Sequence, residues 1–382
     1  MRVSIVDPPA YTPPYDRALC AALAAAGADV ELITSRFSHG EVPPAVGYEV
    51  REAFYRGAAR LDPGATASGV RRGVQRALKG AEHVRDMLRL RSVLADPDVL
   101  HLQWLTFPRL DSPLLPRVRP RLLTPHGWLR AEAWEGEPSR GLRRLFDSMD
   151  AVVALSEFGR DRLVAGAGVD PGRVHVIPHG AFEHLTRVSD PQPLPPELAA
   201  VDGPVALMFG LLRPYKAPEL LIDAFSALPA DIGELWIVGR PLGVDMDELR
   251  RLAKRSPAPV RFVERFVSDA ELPAYFERAD LVVLPYRDAE QSGVLYTALA
   301  FGKAVLMSAV GGFPEVAATG AGRLVAAGDR EGLAAALGAL LSDPGARREL
   351  ELAARRAAEG PYSWGRIAEQ TLALYRELGA GQ

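Results

Sequence analysis

The sequence predicts an α/β protein built from two doubly wound, parallel-sheet (Rossmann-like) domains that face each other across a cleft. Three observations carry that expectation. Short, fully apolar runs of strand length alternate with stretches of helical periodicity along nearly the whole chain, the pattern of parallel sheets covered on both faces. The alternation breaks once, at residues 189–196, where Pro191, Pro193, Pro195 and Pro196 make a linker, and then restarts. A length of 382 residues also exceeds what one ordinary core organises.

The first strand is expected at residues 3–6, ended by Asp7-Pro8. Residues 14–27 follow as a helix: Pro14 suits a first turn, Ala18, Leu19, Ala22 and Leu23 share one face, and Gly27 ends it. A strand at 29–34 completes a β-α-β unit. Its loop, from Pro8 to Tyr15, carries prolines and bulky residues in place of G-x-G-x-x-G, which keeps a pyrophosphate off the backbone and argues against a dinucleotide grip. Residues 51–92 are rich in arginine, and Val74, Leu78, Ala81, Val84 and Leu88 recur there at helical spacing. A basic amphipathic helix of this kind either lies against anionic lipid or forms the solvated outer layer of an α/β domain. Further strands are expected at 99–104, 121–124, 151–155 and 174–177.

Beyond the linker, strands are expected at 205–209, 235–238, 260–263, 281–284 and 304–307, with helices beginning near Pro218, Asp245, Ser268 and Gly293. The expected boundaries are therefore 1–187 for the first domain, 188–200 for the linker and 201–361 for the second domain. A final amphipathic helix, 362–382, is anchored by Trp364, Ile367, Leu372 and Tyr375.

Composition narrows the partners. A net charge of −3 gives no global attraction to nucleic acid. The single cysteine, Cys20, excludes an intramolecular disulfide and fits a cytoplasmic protein. No histidine–carboxylate cluster has metal-ligand spacing, and Asp245-Met246-Asp247 reads as a helix N-cap with a first-turn acid.

In doubly wound sheets ligands bind beyond the carboxyl ends of strands, so the residues after each apolar run carry the functional reading. After 205–209 come Gly210, Arg213 and Lys216: a glycine that admits a ligand to the backbone and two cations that suit a polyphosphate. After 281–284 comes Tyr286 to Val316, a strand, polar loop and helix start in series. The first-turn N–H groups of Ser292, Gly293 and Val294 present donors to an anion, and Ser292 either caps the helix or adds a hydroxyl. Solvated surface cations and an ordinary capped helix are the alternatives. In the first domain His126 follows a buried strand beside Gly127, and His101, Trp104 and Trp128 stand at similar strand ends, where aromatic faces suit a sugar.

These pieces together resemble the group 4 type of retaining glycosyltransferases, of GT-B fold. Ala298-Leu299-Ala300-Phe301-Gly302-Lys303-Ala304-Val305 resembles the family's A-x-x-x-G-K-P-V, and Gly311-Gly312-Phe313-Pro314-Glu315 its G-G-x-P-E. Val176-Ile177-Pro178-His179-Gly180 resembles the turn that ends the family's first domain, and Gly210 with Lys216 fits its glycine-to-lysine loop. The resemblance implies transfer from a nucleoside-diphosphate sugar bound by the second domain to an acceptor bound mainly by the first. That acceptor is a glycan, a lipid-linked or a small molecule. Retention of configuration, no metal, no cofactor beyond the donor, and a final helix that crosses back to the first domain are implied as well.

Carried over residue by residue, Arg213 and Lys216 hold the diphosphate, Ser292, Gly293 and Val294 bind it through N–H groups, and His126 faces the donor sugar. Gly210 admits the donor, and Tyr15, His101, Trp104 and Trp128 serve the acceptor. The family's two glutamates fall on Ala289 and Thr297. Thr297 is left to meet the ribose through its hydroxyl, and Glu290 or Asp288 to supply the other carboxylate. Ala217 stands where glycine is usual, and Pro13-Pro14 where a glycine pair is typical. Two rival classes stay open: a GT-B nucleotide-sugar epimerase, which converts donor without acceptor, and a non-catalytic sugar- or nucleotide-binding protein, which binds without turnover.

Overall fold

In the computed structural model the described residues are 1–37, 42, 44–60, 69–94, 96–107, 111–126 and 139–379. They form two compact units: Met1–Pro178 together with Trp364–Gln382, and His179–Ser363. The stretch 188–200 thus lies within the second unit, where the Gln192 N–H donates to Ala270 O at 2.8 Å. Residues 179–187 lie there too, through the bond from Ala181 N–H to Tyr362 O at 2.8 Å. Among the described residues no helix is long and apolar enough to cross a membrane.

The first unit holds a seven-stranded parallel sheet of β1 (Arg2–Asp7), β2 (Asp29–Ser35), β3 (Glu49–Phe54), β4 (Val99–Leu102), β5 (Arg121–Leu123), β6 (Ala151–Ala154) and β7 (Val174–Val176). Its order is β3-β2-β1-β4-β5-β6-β7, so the winding reverses between β1 and β4. The central strands are buried on both faces, which is why they read as continuous apolar runs. β3 escaped the sequence reading because it is an edge strand: only Phe54 is buried, and Glu49, Arg51 and Glu52 blunt an otherwise open edge. The closing helix Trp364–Glu377 belongs to this unit, and its Tyr375 hydroxyl lies 2.7 Å from His101 Nδ1.

The Gly69–Val93 helix turns most of the apolar stripe expected of it outward. Val74, Val84 and Leu88 are exposed, at 58%, 44% and 50%. Of the expected stripe Leu78 packs on the core, together with Met87, Leu90 and Val93, which lay outside it. The inward face also carries buried Glu82, His83 and Asp86, because this helix supplies hydrogen-bond acceptors to the turn that follows β3.

The second unit holds a six-stranded parallel sheet of β8 (Val205–Phe209), β9 (Glu234–Val238), β10 (Val260–Val263), β11 (Leu281–Leu284), β12 (Ala304–Ser308) and β13 (Arg323–Val325). The order β10-β9-β8-β11-β12-β13 reverses between β8 and β11. β13, a short edge strand with Arg323 exposed, was the second element without an apolar signature. Helix starts follow local chemistry. Asp245 caps Met246–Ala253 by accepting from the N–H groups of Asp247 and Glu248 at 3.0 and 3.1 Å, as its letters predict. Side chains such as Met208, Ile237, Val283 and Leu306 fill the core of this unit.

Candidate functional site

In each unit candidate residues lie in loops at or beside the reversal of strand order, where the loops of a doubly wound sheet diverge. In the second unit these are the loops leaving β8 and β11. Gly210, directly after β8, has φ 94°, and a Cβ there would stand 3.2 Å from Lys216 Nζ and 3.3 Å from Val294 Cγ2. The bare backbone therefore keeps open the space in which the ammonium and the start of the Gly293–Ala300 helix meet.

Lys216 closes the short turn Pro214–Lys216 and is only 6% exposed. Its ammonium lies 3.4 Å from Phe209 O and 5.4 Å from the centre of the Tyr286 ring. Burial pushes the amine down from 10.5 to about 8, and the nearby Arg213 guanidinium adds to the fall. No carboxylate pairs with it among the described residues. Arg213 is exposed at the start of the same turn. Ala217, next in the chain, has φ 54° and ψ 51°, the left-handed conformation that explains why glycine is usual here.

The loop leaving β11 delivers the other half. Ser292 is the N-cap of Gly293–Ala300, yet its hydroxyl makes no capping bond and lies 3.4 Å from the Tyr286 hydroxyl. The Ser292 side chain therefore does not cap the helix, and its hydroxyl meets Tyr286 instead. The intrahelical ladder starts with Leu295 N–H donating to Ser292 O at 3.0 Å, so the N–H groups of Gly293 and Val294 precede it. Gly293 itself is exposed. Tyr286, absent from the sequence-derived candidates, joins the two halves. Its ring faces Lys216, its hydroxyl meets Ser292, and burial raises its hydroxyl above the ordinary tyrosine value.

Glu290 and Ala289 are buried and Asp288 is exposed. The segment is locked from behind by Gly311-Gly312. Gly311 has φ 54°, and a Cβ there would collide with the Ala289 carbonyl oxygen, while Gly312 N–H donates to Glu290 O at 3.1 Å. The Thr297 hydroxyl donates to Gly293 O at 2.9 Å, so toward a ligand it is left with lone pairs only.

In the first unit the reversal lies between β1 and β4. His126, after β5, is half-buried and its Nε2 lies 2.9 Å from Oε1 of buried Gln103. Its ring stacks on Trp104 at 5.5 Å between centres and meets Tyr15 edge-on at 4.5 Å. Trp104 in turn donates from Nε1 to Thr12 Oγ1 at 2.9 Å and meets Tyr11, 58% exposed, edge-on at 5.4 Å. Tyr11 also escaped the sequence reading; its place in the loop after β1 was the one available signal.

Two expectations are corrected. His101 is 1% exposed, with Nδ1 at 2.7 Å from Tyr375 Oη and Nε2 at 2.8 Å from Thr124 Oγ1. Both ring nitrogens are used inside the unit and burial lowers it to about 3, so it is a neutral core histidine rather than an acceptor ligand. Tyr15 is 3% exposed and packs between His126 and Trp364, so it supports His126 and does not face an acceptor. Trp128 lies outside the described residues. Among the described residues no three histidine, cysteine, aspartate or glutamate side chains converge to hold a metal ion.

Comparison with known proteins fits this arrangement. A family model described as "Glycosyltransferase Family 4" matches residues 17–181, and one described as "Glycosyl transferases group 1" matches residues 203–343. The D-inositol 3-phosphate glycosyltransferase of Kineococcus radiotolerans is 29% identical over 398 aligned residues, covering 94% of this chain and 88% of that protein. The alpha-maltose-1-phosphate synthase of Mycolicibacterium smegmatis is 28% identical over 285, covering 68% of this chain and 74% of that protein. Among solved structures, sucrose-phosphate synthase from Thermosynechococcus elongatus superposes with a TM-score of 0.71 at 20% identity over 100% of both chains. Anabaena HepE in complex with UDP-glucose gives 0.68 at 17% identity, covering 99% of this chain and 100% of that one. With one model on each unit, full-length relatives and the shared two-sheet architecture, the chain belongs to the group 4 type of glycosyltransferases, of GT-B fold.

Proposed function

We propose that this glycosyltransferase draws its sugar from a nucleoside-diphosphate sugar bound at the reversal point of the second unit, and passes it with retention to a hydroxyl of an acceptor bound by the first. The observation that carries the reading is Lys216. An ammonium buried without a carboxylate is costly unless a ligand completes its surroundings, and this one stands beside an open glycine and a helix start. A diphosphate matches those needs. Lys216 and Arg213 neutralise it, and the N–H groups of Gly293 and Val294 with the Ser292 hydroxyl bind its oxygens. In the reaction the bond from the anomeric carbon to the diphosphate oxygen breaks, its electron pair leaves with the diphosphate, and the acceptor oxygen bonds the same carbon. The acceptor's proton ends on the departing phosphate or in solvent. Two cations and a helix start supply the charge stabilisation, with no metal in the scheme. Glu290 and the Thr297 oxygen contact the donor, while His126 and Trp104 orient the reacting sugar and acceptor.

The experiment is a thermal-shift screen over UDP, GDP, ADP and TDP and their glucose conjugates, followed by turnover with D-inositol 3-phosphate, the acceptor in a relative's name. A nucleotide at about a hundredfold its Kd stabilises by about 2.7 kcal/mol. One base is expected to stand out, and a screen in which none raises the Tm overturns the donor assignment. Conversion of donor without acceptor identifies an epimerase instead.

A second reading rests on the exposed Val74, Val84 and Leu88 of Gly69–Val93, flanked by Arg85 and exposed Arg89. We propose that this face makes peripheral contact with anionic membrane, as a basic amphipathic surface does.

A further inference from the structure

The turn after β3 carries more construction than a connecting turn requires. Tyr55 has φ 53°, in the left-handed region that a bulky aromatic residue occupies only when its surroundings impose it. The Gly69–Val93 helix imposes it. Asp86 Oδ2 accepts the Tyr55 N–H at 2.9 Å, and the Glu82 carboxylate accepts the N–H groups of Gly57 and Ala58 at 3.0 and 2.8 Å. With its backbone clamped, buried Tyr55 places its hydroxyl 2.6 Å from both His83 Nδ1 and Thr106 Oγ1. His83 Nε2 lies 2.6 Å from Asp111 Oδ1, and Asp111 Oδ2 accepts the Phe107 N–H at 3.0 Å. His83 and Asp111 are 1% and 0% exposed, so solvent takes no part in the chain.

Its hydrogen-bond polarity follows from one end. The Asp111 carboxylate has only lone pairs, so the hydrogen between it and His83 sits on Nε2. In a neutral ring Nδ1 then keeps its lone pair and receives the Tyr55 hydroxyl hydrogen. The Tyr55 oxygen in turn receives the hydrogen of Thr106. Every proton points toward Asp111, and half-buried Thr106 is left with a lone pair and no hydrogen for anything that approaches it.

What surrounds Thr106 suits one kind of ligand. It stands in the loop after β4, two residues beyond Trp104, on the side of the sheet's reversal point. Tyr11 and Phe107 expose 58% and 38% of their surfaces there. Lys79 holds its ammonium 4.7 Å from the centre of the Tyr55 ring. Exposed aromatic faces beside an oxygen that only accepts match a ring-shaped polyol, whose faces stack and whose hydroxyls donate.

We propose that Thr106 binds the acceptor by receiving a hydrogen bond from one of its hydroxyls, and that Tyr55, His83 and Asp111 are positioning residues that keep the Thr106 hydrogen turned inward. This rests on the reading of the first unit as the acceptor side.

Two measurements test it, and neither needs turnover. In protein labelled with 15N at its seven histidines, His83 is expected as the neutral Nε2–H tautomer, and Tyr55→Phe is expected to move its Nδ1 resonance. An imidazolium, or the Nδ1–H tautomer, reverses the chain and overturns the proposal. Calorimetry with myo-inositol as the probe reads the site itself. Thr106→Val and Tyr55→Phe are each expected to bind it about tenfold more weakly than the parent, and Thr106→Ser to restore binding. Equal binding by the parent and Thr106→Val, or no binding by the parent, overturns it. UDP binding, measured on the same samples, reports separately on the donor reading, so failure of one is told apart from failure of the other.

Discussion

Replacing Lys216 with methionine keeps the length of the side chain and removes its charge. The fall of its amine from 10.5 to about 8 corresponds to about 3 kcal/mol held against the ammonium, at about 1.36 kcal/mol for each tenfold change. The dominant cause is desolvation, and the group is 6% exposed, so solvent screening removes little of that figure. The folded value lies below the unfolded one, so at pH 7 the charge is carried in both states and weighs on the folded one. Lys216→Met removes that weight, and the unliganded variant is expected to melt no lower than the parent. Nucleotide binding moves the other way, since a hydrogen bond to a charged group contributes about 1.5–3 kcal/mol, and UDP affinity is expected to fall by about ten- to a hundredfold. Calorimetry between pH 6.5 and 9.5 adds a second signature. The parent's affinity is expected to weaken as pH rises through about 8, where the amine loses its proton, whereas the variant shows no such break. A Lys216→Met protein that binds UDP, GDP, ADP and TDP within about twofold of the parent refutes the phosphate assignment.

Asp7 and Asp16, buried together under the loop after β1, both have raised carboxyl values, chiefly through burial. A folded value above the unfolded one means that stability is lost as pH rises from the ordinary 3.8 upward, so Asp16→Asn should gain in Tm relative to the parent between pH 5 and 8; a constant difference across that range removes the idea. His101 and His179, lowered to about 3 and 4, act oppositely below 6.5 but are common to both proteins and cancel. Co-sedimentation with anionic liposomes should exceed that with neutral ones, and Leu88→Ser with Val84→Ser should abolish the difference; equal binding to both lipids ends the membrane reading.

The sheets were legible because central parallel strands are apolar throughout: 205–209 and 281–284 are strands of the same extent in sequence and structure, and the edge strand 260–263 was found as well because Val260, Phe262 and Val263 flank its one charge, Arg261. The edge strands β3 and β13 were not, since solvent on one side lets Arg51, Glu52 and Arg323 stand where a core pattern would forbid them. The placement of the candidate residues in the second unit was legible for a related reason. A loop after a strand and a helix start are local features, so Gly210, Lys216, Ser292 and Gly293 could be named from their place in the chain. Histidines could not be sorted that way. His101 and His126 both follow apolar runs, and what separates them is a tyrosine 274 residues away that occupies Nδ1 of His101. The Tyr55 turn was invisible for the same reason, since its partners come from two distant segments, the Gly69–Val93 helix and the loop after β4.

The departures from the family pattern can now be separated by what they alter. Ala217 takes the left-handed backbone that glycine adopts freely, so the Lys216 turn keeps its shape and the alanine carries a cost of about 1–2 kcal/mol in the fold. That change leaves the ligand-facing atoms as they were. Thr297 is different. Its hydrogen is committed to Gly293 O in the first turn of the very helix whose N–H groups are proposed to meet the diphosphate. A ribose hydroxyl donating to Thr297 meets a neutral oxygen where a glutamate would offer a charge, and hydrogen bonds to charged groups are about twice as strong. On the proposed donor placement, Lys216, Arg213 and the helix start remain for the diphosphate while charge is given up on the ribose side, so the donor's anchoring is expected to rest more on Lys216 and Arg213.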